Sequence, residues 1–302
     1  MLSSLKRKSK QFVASSTNLN LSSATLTKVL ALCLALGLGC NTSMPADSWR
    51  PTTCGGQARI TGGSFEPLFS DSKESNVISV SDYFLDIRPV TNAEFYEFIC
   101  QIPQWQKDRT PSVFVDSGYL SHWSRTEENE CGTLAPSAKQ QTQPVTNISW
   151  FAAKNYCAWK QLRLPTVAEW EYAALAGDQT ADGRKEPKYL EKILQWYSSP
   201  SADQLPEICR KAPNYWKIHD LHGLVWEWVS DFNSSLVTGE SRGDFGLERD
   251  LFCGAGAAAV TEQQRLNYPA FMRYAFRSSL GGKYTINNLG FRCAKTWERN
   301  KK

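Results

Sequence analysis

The chain has 302 residues, 41% hydrophobic and 21% charged, with a formal net charge of +4 at pH 7. That length suits one large domain or two small ones, able to bury a substantial core without cross-links. Five cations, Lys6, Arg7, Lys8, Lys10 and Lys28, precede residue 40 with no acid among them, so the rest of the chain carries a formal −1. Nothing electrostatic therefore points to nucleic acid as a partner.

Residues 29–39 (VLALCLALGLG) follow this basic region. Eleven apolar residues suit the core of a secretory signal and fall short of the roughly 20 needed to span a bilayer. Gly39–Cys40 resembles the cleavage box of bacterial lipoproteins, with Cys40 as the lipidated first residue, although Gly37 stands where such boxes carry Leu. A plain signal peptide is the alternative. The expectation is an exported chain, in the periplasm or cell envelope and lipid-anchored to a membrane. Residues 1–39 are its leader and residues 40–57, rich in Pro, Thr, Ser and Gly, its tether. Cys33 is lost with the leader and Cys40 acylated, leaving Cys54, Cys100, Cys131, Cys157, Cys209, Cys253 and Cys293. Disulfides are expected in an oxidising compartment, and an odd number leaves at least one thiol over.

From Arg59 the texture is globular. Residues 59–66 (RITGGSFE) and 77–84 (VISVSDYF) read as short strands. Thr91 or Asn92 can cap a helix through AEFYEFIC, with Phe95, Phe98 and Ile99 on one face. Residues 101–143 lack a period and read as a long, partly ordered insertion carrying Cys131. PVTNISW at 144–150 reads as a strand whose Ser149 caps a helix through WFAAKNYCAWKQ. In LRLPTVAEWEYAALAG, Thr166 and Glu169 form a capping box, and Gly177 is a natural terminator. In HGLVWEWVSD, Trp226 and Trp228 alternate with Glu227 as in a strand with one packed face, which turns Glu227 toward solvent or a structural salt bridge. Asp220, Glu227 and Asp231 form an acidic group, and His219 and His222 sit three apart, as in a hydrogen-bonded turn or a metal pair. Within LFCGAGAAAV, Cys253 has no local base or metal partner. It is half of a disulfide with Cys209 or Cys54, a free thiol, or a buried one. The many short elements predict an α+β domain rich in irregular structure.

The order PVTNAEF, PVTNISW, YCAW, RLPTVAEWEYAA, DLHGLVWEWVSD and NLGFRC resembles the formylglycine-generating enzyme, or sulfatase-modifying factor, superfamily across residues 58–297. Residues 298–302 are a polar tail. The resemblance implies a fold related to the C-type lectin fold, with small sheets, two short helices and much irregular loop. It also implies oxidation of a sulfatase cysteine to formylglycine with oxygen and Cu(I), held by two cysteines five apart in the segment before an Arg-rich strand. Two soft thiolates suit Cu(I). Here the matching positions are Gln264 and Pro269, and no cysteine lies between 254 and 292. The resemblance further implies a Cys157–Cys293 disulfide. The other expected bond, Cys100 with Cys131, rests on their shared N-terminal region. Leu224 stands where the family carries an Asn that helps hold Ca²⁺, which removes an oxygen ligand.

Arg277 and Asn288 match positions lining the family's substrate groove. They are the candidates for binding an exported protein or peptide, with Arg277 alternatively bracing the fold through a buried carboxylate. Cys253 is the remaining catalytic candidate. The leading expectation is a lipid-anchored accessory or binding protein in the maturation of another envelope protein. The alternatives are an oxidase with a non-standard metal arrangement, which would restore Cu(I) as cofactor, and a structural envelope lipoprotein.

Overall fold

A computed structural model describes residues 54–66, 77–129, 131–199, 204–233 and 262–298. Contacts divide the chain into units 1–50 and 51–302, and every described residue belongs to the second. The leader, Cys40 and Cys253 lie outside the described residues.

Each of the two expected N-terminal strands is broken into two. Strands β1 (Gln57–Ile60), β2 (Gly63–Phe65), β3 (Ile78–Val80) and β4 (Tyr83–Asp86) pair as β1 with β4 and β2 with β3, both antiparallel. The break falls at Gly62, where a Cβ would collide with the backbone carbonyl of Val80, so only glycine lets the strands part there. The C-terminal strand β9 (Ala294–Thr296) adds to the other edge of β4, giving the sheet β1-β4-β9.

Helix α1 (Asn92–Gln101) and helix α3 (Val167–Ala174) begin with the same device. In RPVTNAE, the Thr91 side chain accepts from the Glu94 N–H, and Glu94 accepts from the Thr91 N–H at 2.9 Å. Arg88 then grips both Glu94 oxygens at 2.6 and 2.8 Å. In RLPTVAE the arrangement recurs with Arg163, Thr166 and Glu169, the guanidinium contacts measuring 2.7 and 2.6 Å. Each carboxylate thus serves a cap and a bidentate ion pair together.

Between these helices, residues 144–149 form an isolated bridge, Thr91 to Pro144, rather than the expected strand, and Asn147 turns the chain at φ 51. Ser149 caps helix α2 (Trp150–Trp159) by accepting from the Ala152 N–H at 3.2 Å. The stretch 101–143 is not an appended insertion. Its Trp105, Val115, Tyr119, Leu120 and Trp123 are buried in the core around α1 and α2, and its hairpin β5 (Ser124–Asn129) with β6 (Gly132–Ala135) carries the Cys100–Cys131 disulfide to α1. The period is absent because these aromatics point inward from turns, not from one face of a regular element.

Helix α4 (Tyr189–Ser198), helix α5 (Glu262–Ser278), strand β7 (Trp226–Trp228) and strand β8 (Leu289–Phe291) complete the described elements, with β7 and β8 parallel. Five α-helices are described rather than two. The segment expected as an Arg-rich strand is α5, with Pro269 inside it.

Two aromatic-rich cores result. One packs Phe95, Phe98, Tyr156, Trp228 and Phe291 between α1, α2 and β8, and the other packs α3 through Val167 and Trp170 onto Ile60, Tyr83 and Leu85 of the sheet. Cys157 and Cys293 are joined, tying α2 to the end of the chain, and Cys54 is joined to Cys209. No helix among the described residues is long and apolar enough to cross a membrane.

Candidate functional site

Two buried charge groups meet at the indole of Trp170. On one side, Arg292 places Nε and Nη2 on Glu227 at 2.8 Å each, with both side chains fully buried. The remaining guanidinium hydrogens go to the carbonyls of His219 and Asp86, and Trp170 Nε1 donates to Glu227 at 2.8 Å. The strand pattern at Trp226–Trp228 therefore misleads about exposure. Glu227 does alternate with the two Trp residues, but its own face of β7 is covered, so the solvent-facing alternative is wrong and Glu227 is in a buried structural ion pair.

On the other side of Trp170, Glu171 accepts from two arginines of α5. Arg273 reaches both its oxygens, at 2.9 Å from Nε and 2.6 Å from Nη2, and Arg277 Nη1 donates at 2.6 Å. Both guanidinium groups lie over the Trp170 ring, Arg277 at 4.8 Å from its centroid. Burial alone would raise the Glu171 carboxyl, but the two cations bring it down to about 2. Arg277 thus meets a buried carboxylate, the contact of the bracing alternative. Sequence reasoning missed Glu171 and Arg273 as its partners. The available signal was the four-residue spacing of Arg273 and Arg277, which puts both on one helix face.

Over this triad sits an aromatic stack. Trp226 lies between Tyr197 of α4, nearly parallel at 7° and 5.5 Å, and Phe276 of α5 at 4.6 Å, with Trp196 at 5.2 Å. All four rings are partly exposed. Asn288 borders the stack, since its carbonyl accepts from the Trp226 N–H at 2.8 Å, while its side-chain Oδ1 is buried with no partner among the described residues. An unpaired buried acceptor is costly unless something donates to it. Arg277 meets Trp170 and Glu171, whereas Asn288 borders the aromatic patch through its backbone carbonyl.

The histidines do not gather. His222 Nε2 meets the Ala174 carbonyl at 2.9 Å, His219 Nδ1 the Lys211 carbonyl at 2.8 Å, and His122 Nε2 the Asn92 side chain at 3.0 Å. Of the acidic group, Asp220 accepts from the Cys209 N–H and Asp231 from the Val167 N–H, so each holds backbone.

The residues present do not fit the copper centre that the fold implies. All six cysteines among the described residues are in disulfides, and positions 264 and 269 are Gln and Pro. Calcium fares no better at position 224, a buried leucine without a ligand oxygen.

Fold and site define a loop-rich α+β domain, tied by disulfides, with an aromatic face over buried ion pairs. The model of the sulfatase-modifying factor enzyme 1-like domain matches residues 44–297, and the chain belongs to that family. It is 27% identical over 297 residues to a formylglycine-generating enzyme of Streptomyces coelicolor, covering 83% of this chain and 92% of that protein. It is also 27% identical over 257 residues to the inactive C-alpha-formylglycine-generating enzyme 2 of Mus musculus, covering 74% and 78%. Among solved structures it is similar to CarF, with a TM-score of 0.46 and 17% identity over 80% of this chain and 98% of that one.

Proposed function

We propose that this chain is a copper-free member of the family, exported and lipid-anchored through Cys40, that binds a protein or peptide in the cell envelope and assists its maturation. The observation that carries the reading is the thiol inventory: the copper positions are Gln264 and Pro269, and every described cysteine is already bonded. Its similarity to a relative named as inactive agrees with this reading. The face of Trp196, Tyr197, Trp226 and Phe276 suits an extended peptide, because flat, partly exposed rings offer contact area.

The test has two arms. Anaerobic Cu(I) titration of the full mature chain is expected to give no tight one-to-one complex, and no aldehyde on a cysteine-containing peptide. A tight complex with aldehyde formation would overturn the reading in favour of the oxidase. In the second arm, envelope proteins are cross-linked to the wild type, Trp196→Ala and Asn288→Ala. Loss of the same adduct in both variants is expected, and an unchanged adduct pattern counts against binding at this face.

A further inference from the structure

Cys54, Cys209 and His219 bring two sulfurs and an imidazole nitrogen within 4.8 Å of one another. We propose that opening the Cys54–Cys209 disulfide creates a three-ligand Zn²⁺ site, so that this corner alternates between a disulfide and a metal centre.

Each of the three residues is held by contacts that do not involve the S–S bond. The Cys54 carbonyl accepts from Arg88 Nε at 3.0 Å, and Arg88 is itself fixed by Glu94. The Cys209 N–H donates to Asp220 Oδ2 at 2.6 Å, in a turn where Cys209 adopts φ 60. His219 donates its N–H to the Ile87 carbonyl at 2.7 Å, and its own carbonyl accepts from the buried Arg292 at 3.0 Å. Reduction therefore removes one bond and leaves the backbone in place. Two sulfurs on a common zinc stand about 3.7 Å apart and a sulfur and nitrogen about 3.5 Å, given Zn–S near 2.3 Å and Zn–N near 2.0 Å. The sulfurs must therefore part from bonding distance to reach this separation, a movement that side-chain rotation at the two cysteines supplies, with the histidine already within 4.8 Å.

A hydrogen bond fixes the tautomer of the imidazole. A carbonyl only accepts, so His219 Nδ1, 2.8 Å from the Lys211 carbonyl, carries the hydrogen and Nε2 carries the lone pair. That is the arrangement by which an outer carbonyl sets a metal-binding histidine. Two thiolates and a neutral imidazole also cancel the charge of Zn²⁺, which suits a partly buried corner. Three protein ligands leave a fourth position for water or a ligand oxygen.

Access distinguishes this bond from its neighbour. Cys157 and Cys293 are fully buried, whereas Cys54 and Cys209 are partly exposed, so a small dithiol reaches the latter first. The chemistry is thiol–disulfide exchange. One thiolate of the dithiol attacks a sulfur, its second thiol resolves the mixed disulfide, and the dithiol leaves as its own disulfide while Cys54 and Cys209 become thiols. Zn²⁺ then displaces their two protons to solvent.

The test uses the full mature chain, oxidised or treated with dithiothreitol, desalted anaerobically and given Zn²⁺ alone or Co²⁺ alone. Zinc is counted by elemental analysis and thiolate coordination by the Co²⁺ charge-transfer absorption. One zinc per reduced chain and none per oxidised chain is expected. Cys209→Ser should abolish the zinc and the thiolate band, and His219→Ala should weaken zinc binding at least tenfold and shift the Co²⁺ spectrum. Equal zinc in the oxidised and reduced forms overturns the proposal, as does uptake unchanged by Cys209→Ser. Should His219→Ala fail to fold, Cys54→Ser and Cys209→Ser decide the matter, their folding checked by thermal melting without metal.

Discussion

Glu227 and Arg292 hold a complete charge pair where no water reaches, so removing either strands the other. Glu227→Leu is expected to destabilise the protein by about 3–5 kcal/mol, while Glu227→Leu with Arg292→Leu should recover most of that loss. Guanidinium unfolding followed by tryptophan fluorescence measures both. Acid exposes a second group of residues. Burial, with Arg273 second, holds the His222 imidazole down to about 4 from an ordinary 6.5, and burial with Lys107 does the same to His122. The unfolded chain then binds more protons between those values, so stability falls as pH drops from 6.5 toward 4. For an imidazole held at about 4 the loss is on the order of 3 kcal/mol. Denaturant melts across that range should flatten in His222→Gln. Below about 4.5 the Glu171 carboxylate adds its own loss, extending to about 2. Asp86 and Asp220 work the other way, because burial raises them and favours their protonated form in the fold. None of these partnerships was legible from spacing. Glu227 lies 65 residues from Arg292, and Glu171 lies 102 and 106 residues from its two arginines.

At the level of elements, the two Arg–Thr–Glu devices make the starts of α1 and α3 the most fully bonded helix ends described. Thr166→Ala should cost about 1 kcal/mol, read as a shift in unfolding midpoint at unchanged slope. A matching loss in Thr91→Ala would mark the devices as equivalent. The Thr166 cap, the Ser149 cap and the apolar face of α1 were readable because caps and helical faces depend on residues within one or two turns. The break at Gly62 was not, since it depends on the Val80 carbonyl arriving from another strand. Helix α5 also escaped, because a proline inside a helix removes a backbone donor and interrupts the helical pattern.

For the whole molecule, the family and its α+β, small-sheet architecture were legible from a handful of motifs in fixed order. The absence of the copper pair was equally plain, because it needs only residue identities. The aromatic face was not, since Tyr197, Trp226 and Phe276 come from three separate elements. The Cys157–Cys293 bond spans 136 residues and, by loop entropy, contributes on the order of 4 kcal/mol. Cys157→Ala with Cys293→Ala should therefore lower the unfolding midpoint far more than any cap variant, as calorimetry would record.

The bonds at Cys54–Cys209 and Cys157–Cys293 span 155 and 136 residues, and their loops overlap between 157 and 209. Every peptide bond from 54 to 293 thus lies inside at least one covalent ring. A protease that cuts the chain once anywhere in that interval releases nothing: the two pieces stay stitched until a reductant arrives. Such topology turns a fatal nick into a silent one.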